Sequence, residues 1–213
     1  DESAQIDETA TLSVKGVLGE YGIILQNKEF MRYTLGFAVA MSALFAYITG
    51  SSFIFLGYYG LGEHAFGIIF GINALGMTLV SALNAKLVQK REPTALLNFG
   101  LIAMLVTSLI LLACSILSPP FICLEASLFV LLSSLGFVAP NATTLAMALY
   151  KDGNSGAASA VLGTAQFAIA GAISFIVGAV GANKPFLLAS VMAICALCAN
   201  AVYFLLREKN QKF

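Results

Sequence analysis

Polar side chains recur at helical spacing inside otherwise apolar stretches of this sequence, and these residues could bind a small molecule. Asn73 and Met77 lie four residues apart, and so do Tyr47 and Ser51, which places each pair on one face of a helix. Polar groups in an apolar surrounding are costly unless they are paired, so they often mark a functional site. A second interpretation is that each one bonds a neighbouring helix or its own backbone.

Two later stretches continue the pattern and add positions where a helix could bend. Ser134 and Asn141 lie seven residues apart, and Gln166 follows on a face of small residues. Together with the four residues above, we predict that they line a substrate cavity. Gly50 adds backbone freedom and Pro140 removes an internal hydrogen bond, so we predict helix hinges at both positions.

The titratable residues offer few other sites. Glu125 is the one acid inside an apolar segment, and it could bind a proton or a cation. Its shallow position favours a carboxylate in the outer headgroup layer, with Lys184 as a candidate partner. Cys195 and Cys198 form a Cys-x-x-Cys pair, but no second ligand pair exists and His64 is distant. We therefore predict no metal, no cofactor and no enzymatic activity, because converging catalytic groups are missing.

The composition identifies the element that positions these residues. Hydrophobic residues make up 59 % of the 213 residues and charged ones 10 %, against roughly 45–50 % and 25 % in soluble domains. Mean hydropathy is +0.90. The chain is therefore predicted to be an all-α integral membrane protein whose first partner is the lipid bilayer. A net charge of zero argues against a nucleic-acid partner.

Six segments are long and apolar enough to cross a bilayer as helices, since lipid requires every backbone group to be bonded within its segment. They are predicted at Tyr33–Leu56, Ala65–Leu87, Leu96–Leu117, Phe121–Tyr150, Ala157–Val180 and Pro185–Leu206. This divides the chain into a loop segment with a partly amphipathic helix (1–32), a six-helix domain (33–206) and a tail (207–213).

The basic residues predict the orientation. Ten of the eleven lysines and arginines fall on one side of the six segments, and only Lys184 falls on the other. The side rich in lysine and arginine is the cytoplasmic one. Residues 1–32, the tail and both termini are therefore expected in the cytoplasm. The chain opens with Asp1, so we expect it to begin inside a longer protein.

Four motifs in order resemble the second half of a Bcr/CflA-type drug-resistance transporter of the major facilitator superfamily. They are LFAYITGSSFIF, FGINALGMTLVSALNAKLV, APNATTLAMAL and GAASAVLGTAQ, and the resemblance extends from about Tyr21 to Leu206. It implies one half of a twelve-helix fold, built from two inverted three-helix repeats. The six segments would be helices seven to twelve, with the N-terminal six-helix half as the missing partner.

The same resemblance implies proton-coupled export of drugs or other small amphiphilic compounds by alternating access in a bacterial inner membrane. It also places the coupling carboxylate in the missing half. Two alternatives stay open from the residues alone. One is a self-contained six-helix protein that forms a homo-oligomeric pore or scaffold, and the other is a major facilitator carrier for a metabolite.

Overall fold

The computed structural model describes residues 14–117, 120–150, 154–181 and 184–207. They form seven α-helices and one π-helix: α1 Val14–Gln26, α2 Lys28–Ser52, the π-helix Phe53–Tyr58, α3 Glu63–Leu87, α4 Pro93–Ile116, α5 Phe121–Ala148, α6 Ser155–Val180 and α7 Pro185–Leu205. The start of the predicted loop segment (1–13), Lys151 and the end of the predicted tail (208–213) lie outside the described residues.

The prediction of an all-α membrane protein with six spanning helices is confirmed. Among the described residues, six helices are long and apolar enough to cross a membrane, and the first of them combines α2 with the π-helix. The first span begins at Lys28, ahead of the predicted Tyr33. Hydropathy misses its polar first turn, but the Asn27 side chain accepts a hydrogen bond from the Phe30 N–H at 3.1 Å and so caps the helix there.

The π-helix Phe53–Tyr58 forms the C-terminal end of the first span. The Tyr59 N–H donates to the Ile54 carbonyl, five residues earlier, at 3.0 Å, which is the π pattern. Gly60 follows with φ +64, a left-handed conformation that glycine adopts easily. The polar stretch 49–52 itself stays α-helical, so the irregular backbone begins just after it.

The helices pack as two repeats of three, α2–α4 and α5–α7. In each repeat the first helix packs against the second and third helices of the other repeat: α2 against α6 and α7, and α5 against α3 and α4. The two first helices also contact each other, and so do the two third helices. Exchanging the repeats leaves this pattern unchanged, as expected for inverted repeats related by a pseudo-two-fold axis.

Glycine sets the distance between α3 and α5. A Cβ on Gly136 would lie 2.7 Å from the Met77 carbonyl oxygen and 2.7 Å from the Ser81 nitrogen, both backbone atoms of α3. A Cβ on Gly76 would meet the Phe129 ring at 2.4 Å. Only glycine allows the two backbones to approach this closely. The side chains of α3 and α5 on either side of this contact are therefore held at a fixed separation.

Candidate functional site

A pocket of about 160 Å³ opens between α2, α3 and α5. It is lined by Leu44, Tyr47 and Ile48 of α2, by Phe70, Asn73, Ala74 and Met77 of α3, and by Leu132 of α5. Apolar and aromatic side chains with a few polar groups are the usual lining of a small-molecule site. Both helix repeats contribute to it, so it lies where relative movement of the repeats would change its shape.

Two aromatic rings form one wall of the pocket. The rings of Tyr47 and Phe70 stack, with 5.4 Å between centroids and 19° between planes. Phe55 of the π-helix packs edge-on against Tyr47 and against Phe66 and Phe121. The end of the first span is thus tied by aromatic contacts to α3 and α5. A movement of the π-helix would therefore shift the Tyr47 ring through its contact with Phe55.

Asn73 is the polar centre of the site and is 2 % exposed. Its Nδ2 donates to the Tyr47 hydroxyl oxygen at 3.1 Å and to Glu125 Oε1 at 2.7 Å. One amide group therefore joins a pocket-lining phenol on α2 to a carboxyl group on α5. The sequence suggested a different partner for Glu125, the outer headgroup layer and Lys184. The structure turns Glu125 inward instead, because a buried amide of α3 lies within reach.

The Asn73–Glu125 contact leaves two acceptors over. Asn73 Oδ1 and Glu125 Oε2 are buried and have no hydrogen-bond partner. Buried polar atoms are rarely left in this state, since each one loses its bonds to water without replacement. The site can therefore accept a hydrogen bond, or a proton, from a group that the described residues do not supply.

Of the other predicted cavity residues, Met77 lines the pocket. Ser51 is fully buried and donates to the Ile48 carbonyl at 3.5 Å, and Ser134 donates to the Leu131 carbonyl at 2.6 Å. Both hydroxyls thus bond their own helices, which is the second interpretation given above.

Asn141 and Gln166 lie away from the pocket. Asn141 Nδ2 donates to Asn84 Oδ1 at 2.6 Å and to the Phe137 carbonyl at 2.8 Å, so it ties α5 to α3 on the far side of the Gly136 contact. Gln166 is partly buried on α6 and does not line the pocket. The predicted set is therefore divided between the pocket and the joints between helices.

The two predicted hinges have different surroundings. A Cβ on Gly50 would lie 2.7 Å from a methyl of Leu188 and 3.3 Å from Val177, so this glycine lets α2 pack closely against α6 and α7. Next to it, the hydroxyls of Thr49 and Ser174 bond across α2 and α6. Pro140 lies inside α5, which continues on both sides of it. The hinge roles remain predictions.

A second buried polar cluster, which the sequence did not predict, lies at the N-terminal end of α2. Arg32 is 3 % exposed. Its Nε donates to the Tyr203 carbonyl at 2.9 Å, and its Nη1 lies 3.2 Å from Glu29 Oε1. The guanidinium carbon also lies over the rings of Tyr33 and Tyr203, at 5.0 and 4.2 Å from their centroids. The nearby Glu29, three residues before Arg32, was a signal in the sequence, since that spacing favours an ion pair.

The fold and the pocket together define a multi-pass membrane protein with two inverted three-helix repeats and a pocket between α2, α3 and α5. A family model described as Major Facilitator Superfamily matches residues 3–175, and the chain therefore belongs to that superfamily. The resemblance drawn from the four motifs is confirmed.

Two curated relatives show how much of a transporter the chain represents. The uncharacterized MFS-type transporter YdgK of Bacillus subtilis is 25 % identical over 210 residues, which cover 98 % of this chain and 52 % of the relative. A bicyclomycin resistance protein homolog of Haemophilus influenzae is 23 % identical over 195 residues, which cover 89 % of this chain and 48 % of the relative. The chain spans about half the length of these relatives.

Proposed function

We propose that the chain is one half of a proton-coupled secondary transporter that exports drugs or other small amphiphilic compounds by alternating access. The observation that carries this proposal is the pocket between α2, α3 and α5. Its apolar and aromatic lining suits the greasy part of a substrate, and Asn73 and Tyr47 offer hydrogen bonds to a polar group. The name of the Haemophilus relative, a bicyclomycin resistance protein homolog, supports a drug rather than a metabolite.

The two least buried helices support the proposal that a second six-helix half packs against this chain. Of the six spans, α3 and α6 bury the smallest shares of their residues. Gly67 and Gly71 on α3, and Gly156 and Gly163 on α6, would meet nothing within 4 Å if they carried a Cβ. Packing among the described helices does not require glycine at these positions. Close approach of helices from another half would require it. We assign both faces to the N-terminal six-helix half, and the lipid bilayer to the remaining surface.

The orientation completes the proposal. The distribution of basic residues supports cytoplasmic termini, and the bacterial relatives support a bacterial inner membrane. The π-helix and the aromatic contacts around Phe55 then lie at the outer end of the pocket. Rocking of the two halves about the pocket would open it to each side in turn.

A drug-susceptibility panel tests this function. Cells that express the full-length gene should tolerate at least one small amphiphilic drug at higher concentration than cells with an empty vector. Asn73→Ala should remove the protection, and Ser190→Ala on α7, whose hydroxyl bonds the Phe186 carbonyl of its own helix away from the pocket, should keep it. No protection against any drug, together with uptake of a metabolite, would favour a metabolite carrier.

A further inference from the structure

We propose that Glu125 is a proton-binding site of this half, protonated in the form described above and joined to the pocket by Asn73. This deepens the proposed function and rests on it for the use of the proton in transport. The resemblance to the superfamily places the coupling carboxylate in the other half. A second proton site in this half would therefore be a separate feature of the protein.

Glu125 has no balancing positive charge among the described residues. Within the described residues, the one ion pair joins Arg32 to Glu29 at the N-terminal end of α2, so no described lysine, arginine or histidine pairs with Glu125. A carboxylate buried without a partner is so costly that it takes up a proton and becomes neutral instead. The Oε2 atom of Glu125 is buried, and the described residues supply it with neither a counter-charge nor a donor.

The hydrogen bonds of Asn73 also favour a proton on Glu125. Both N–H bonds of Asn73 Nδ2 are in use, one to Tyr47 and one to Glu125 Oε1. An ionised Glu125 would leave Oε2 and Asn73 Oδ1 as two buried acceptors without a donor among the described residues. A proton on Oε2 supplies a donor, and Asn73 Oδ1 is a free acceptor on the amide that already bonds Glu125. A protonated carboxyl group is both donor and acceptor, as a paired contact with an amide requires.

The number of free oxygens beside Glu125 indicates which cation the site can bind. A metal cation needs many oxygen ligands, about six to eight in the case of Ca²⁺. The site offers two free oxygens, which match one proton. Of the groups on helices packed against α5, Tyr47 of α2 is the titratable one that interacts with Glu125, and α3 contributes the neutral Asn73. These surroundings add no second charge that could replace the proton.

The shared amide links the proton to the pocket. Tyr47 and Asn73 line the pocket, and Glu125 lies behind Asn73. A substrate that draws either side chain into a new hydrogen bond changes how well Asn73 stabilises the Glu125 carboxyl group. By thermodynamic linkage, the proton on Glu125 changes substrate affinity by the same factor.

Infrared difference spectroscopy of the purified full-length protein tests the inference without any transported compound. Spectra recorded while the pH is raised should show the C=O stretch of a protonated carboxylic acid that is lost on alkalinisation. The band should be absent in Glu125→Gln and present in Glu63→Gln, which removes an exposed acid near the same end of the helices. Asn73→Leu should move the band to higher wavenumber, because the carbonyl loses its donor.

Identical acid bands in the wild type and in Glu125→Gln would overturn the inference, and so would a wild-type spectrum that shows Glu125 ionised at every pH. If Glu125→Gln does not yield monodisperse protein, Glu125→Asp replaces it: the band should then shift, and an unchanged band counts against the inference. The drug panel reports independently on transport. A failure of the proton site and a failure of the proposed function are therefore distinguishable.

Discussion

The two buried polar clusters of this half lie towards opposite ends of α2 and treat charge differently. At the N-terminal end, Arg32 has a carboxylate partner, a backbone carbonyl and two aromatic rings. Towards the C-terminal end, Glu125 has one amide donor and a buried oxygen without a partner among the described residues. The first arrangement pairs a charge with an opposite charge. The second leaves one oxygen of an acidic group without a hydrogen bond beside the pocket.

This difference separates a charge that holds helices together from a group that can change its state. The Arg32 contacts run from the start of α2 to the end of α7, so they fasten the first and last spans of the half. The Glu125 contacts run through Asn73 to a residue that lines the pocket. We therefore expect mutations at the Arg32 cluster to act on stability and mutations at the Glu125 cluster to act on the proposed transport.

The largest expected effect is the loss of Arg32. Arg32→Ala removes the guanidinium donor from the Tyr203 carbonyl and from Glu29, which keeps its hydrogen bond from the Tyr33 hydroxyl. Breaking a buried ion pair costs about 3–5 kcal/mol. The fraction of full-length protein that survives heating in detergent, measured by size-exclusion chromatography, should fall sharply. Arg91→Ala, at an exposed position, is the control and should behave like the wild type. Equal survival of both variants would remove the contrast between the clusters.

The next effect concerns the spacing of α3 and α5, which carry Asn73 and Glu125. Gly136→Ala places a Cβ 2.7 Å from backbone atoms of α3, and overpacking of this kind costs about 1–3 kcal/mol. We expect lower thermal stability and weaker drug resistance together. Gly19→Ala in α1 would meet nothing within 4 Å and should change neither measurement. A tolerated Gly136→Ala would show that the close contact does not position the site.

A smaller effect on stability, but a clear effect on function, is expected at Tyr47. Tyr47→Phe keeps the ring that stacks on Phe70 and removes the hydroxyl that accepts from Asn73. A lost hydrogen bond is worth about 0.5–1.5 kcal/mol, so drug binding by the purified full-length protein should weaken by up to about tenfold. Unchanged binding would show that the Tyr47 hydroxyl does not take part in drug binding. A large loss of folded protein would show that the hydroxyl stabilises the core instead.

The smallest effect on stability is expected at Glu125 itself. Glu125→Gln keeps the shape of a protonated carboxyl group and can still accept from Asn73, so the thermal stability should stay within about 0.5 kcal/mol of the wild type. Measured beside Arg32→Ala in the same heating assay, it gives the sharpest form of the comparison. A stability loss as large as that of Arg32→Ala would mean that Glu125 is ionised and paired.

Much of the fold followed from the sequence, but less of the site did. Apolar length fixed six spans, because lipid forces each one to be helical. Helical spacing identified Asn73 and Met77, which do line the pocket. It could not separate them from Ser134, which bonds its own helix, since that choice depends on how each helix is rotated in the bundle.

The remaining misses have similar causes. In the sequence Arg32 counts only as one of the ten basic residues on the side predicted to be cytoplasmic, because its carbonyl partner and one of its two rings come from residue 203, far along the chain. Glu125 was assigned to the headgroup layer from its depth alone. Its real partner, Asn73, lies on another helix, and only packing brings the two together.

The most direct test of the account asks whether an exported drug occupies the pocket between α2, α3 and α5. In a full-length protein without native cysteines, Ala74→Cys in the pocket wall and Gln89→Cys in the exposed turn after α3 would be labelled with a maleimide, with and without the drug. We predict that the drug slows labelling at position 74 and leaves position 89 unchanged. Equal protection at both positions, or at neither, would contradict it.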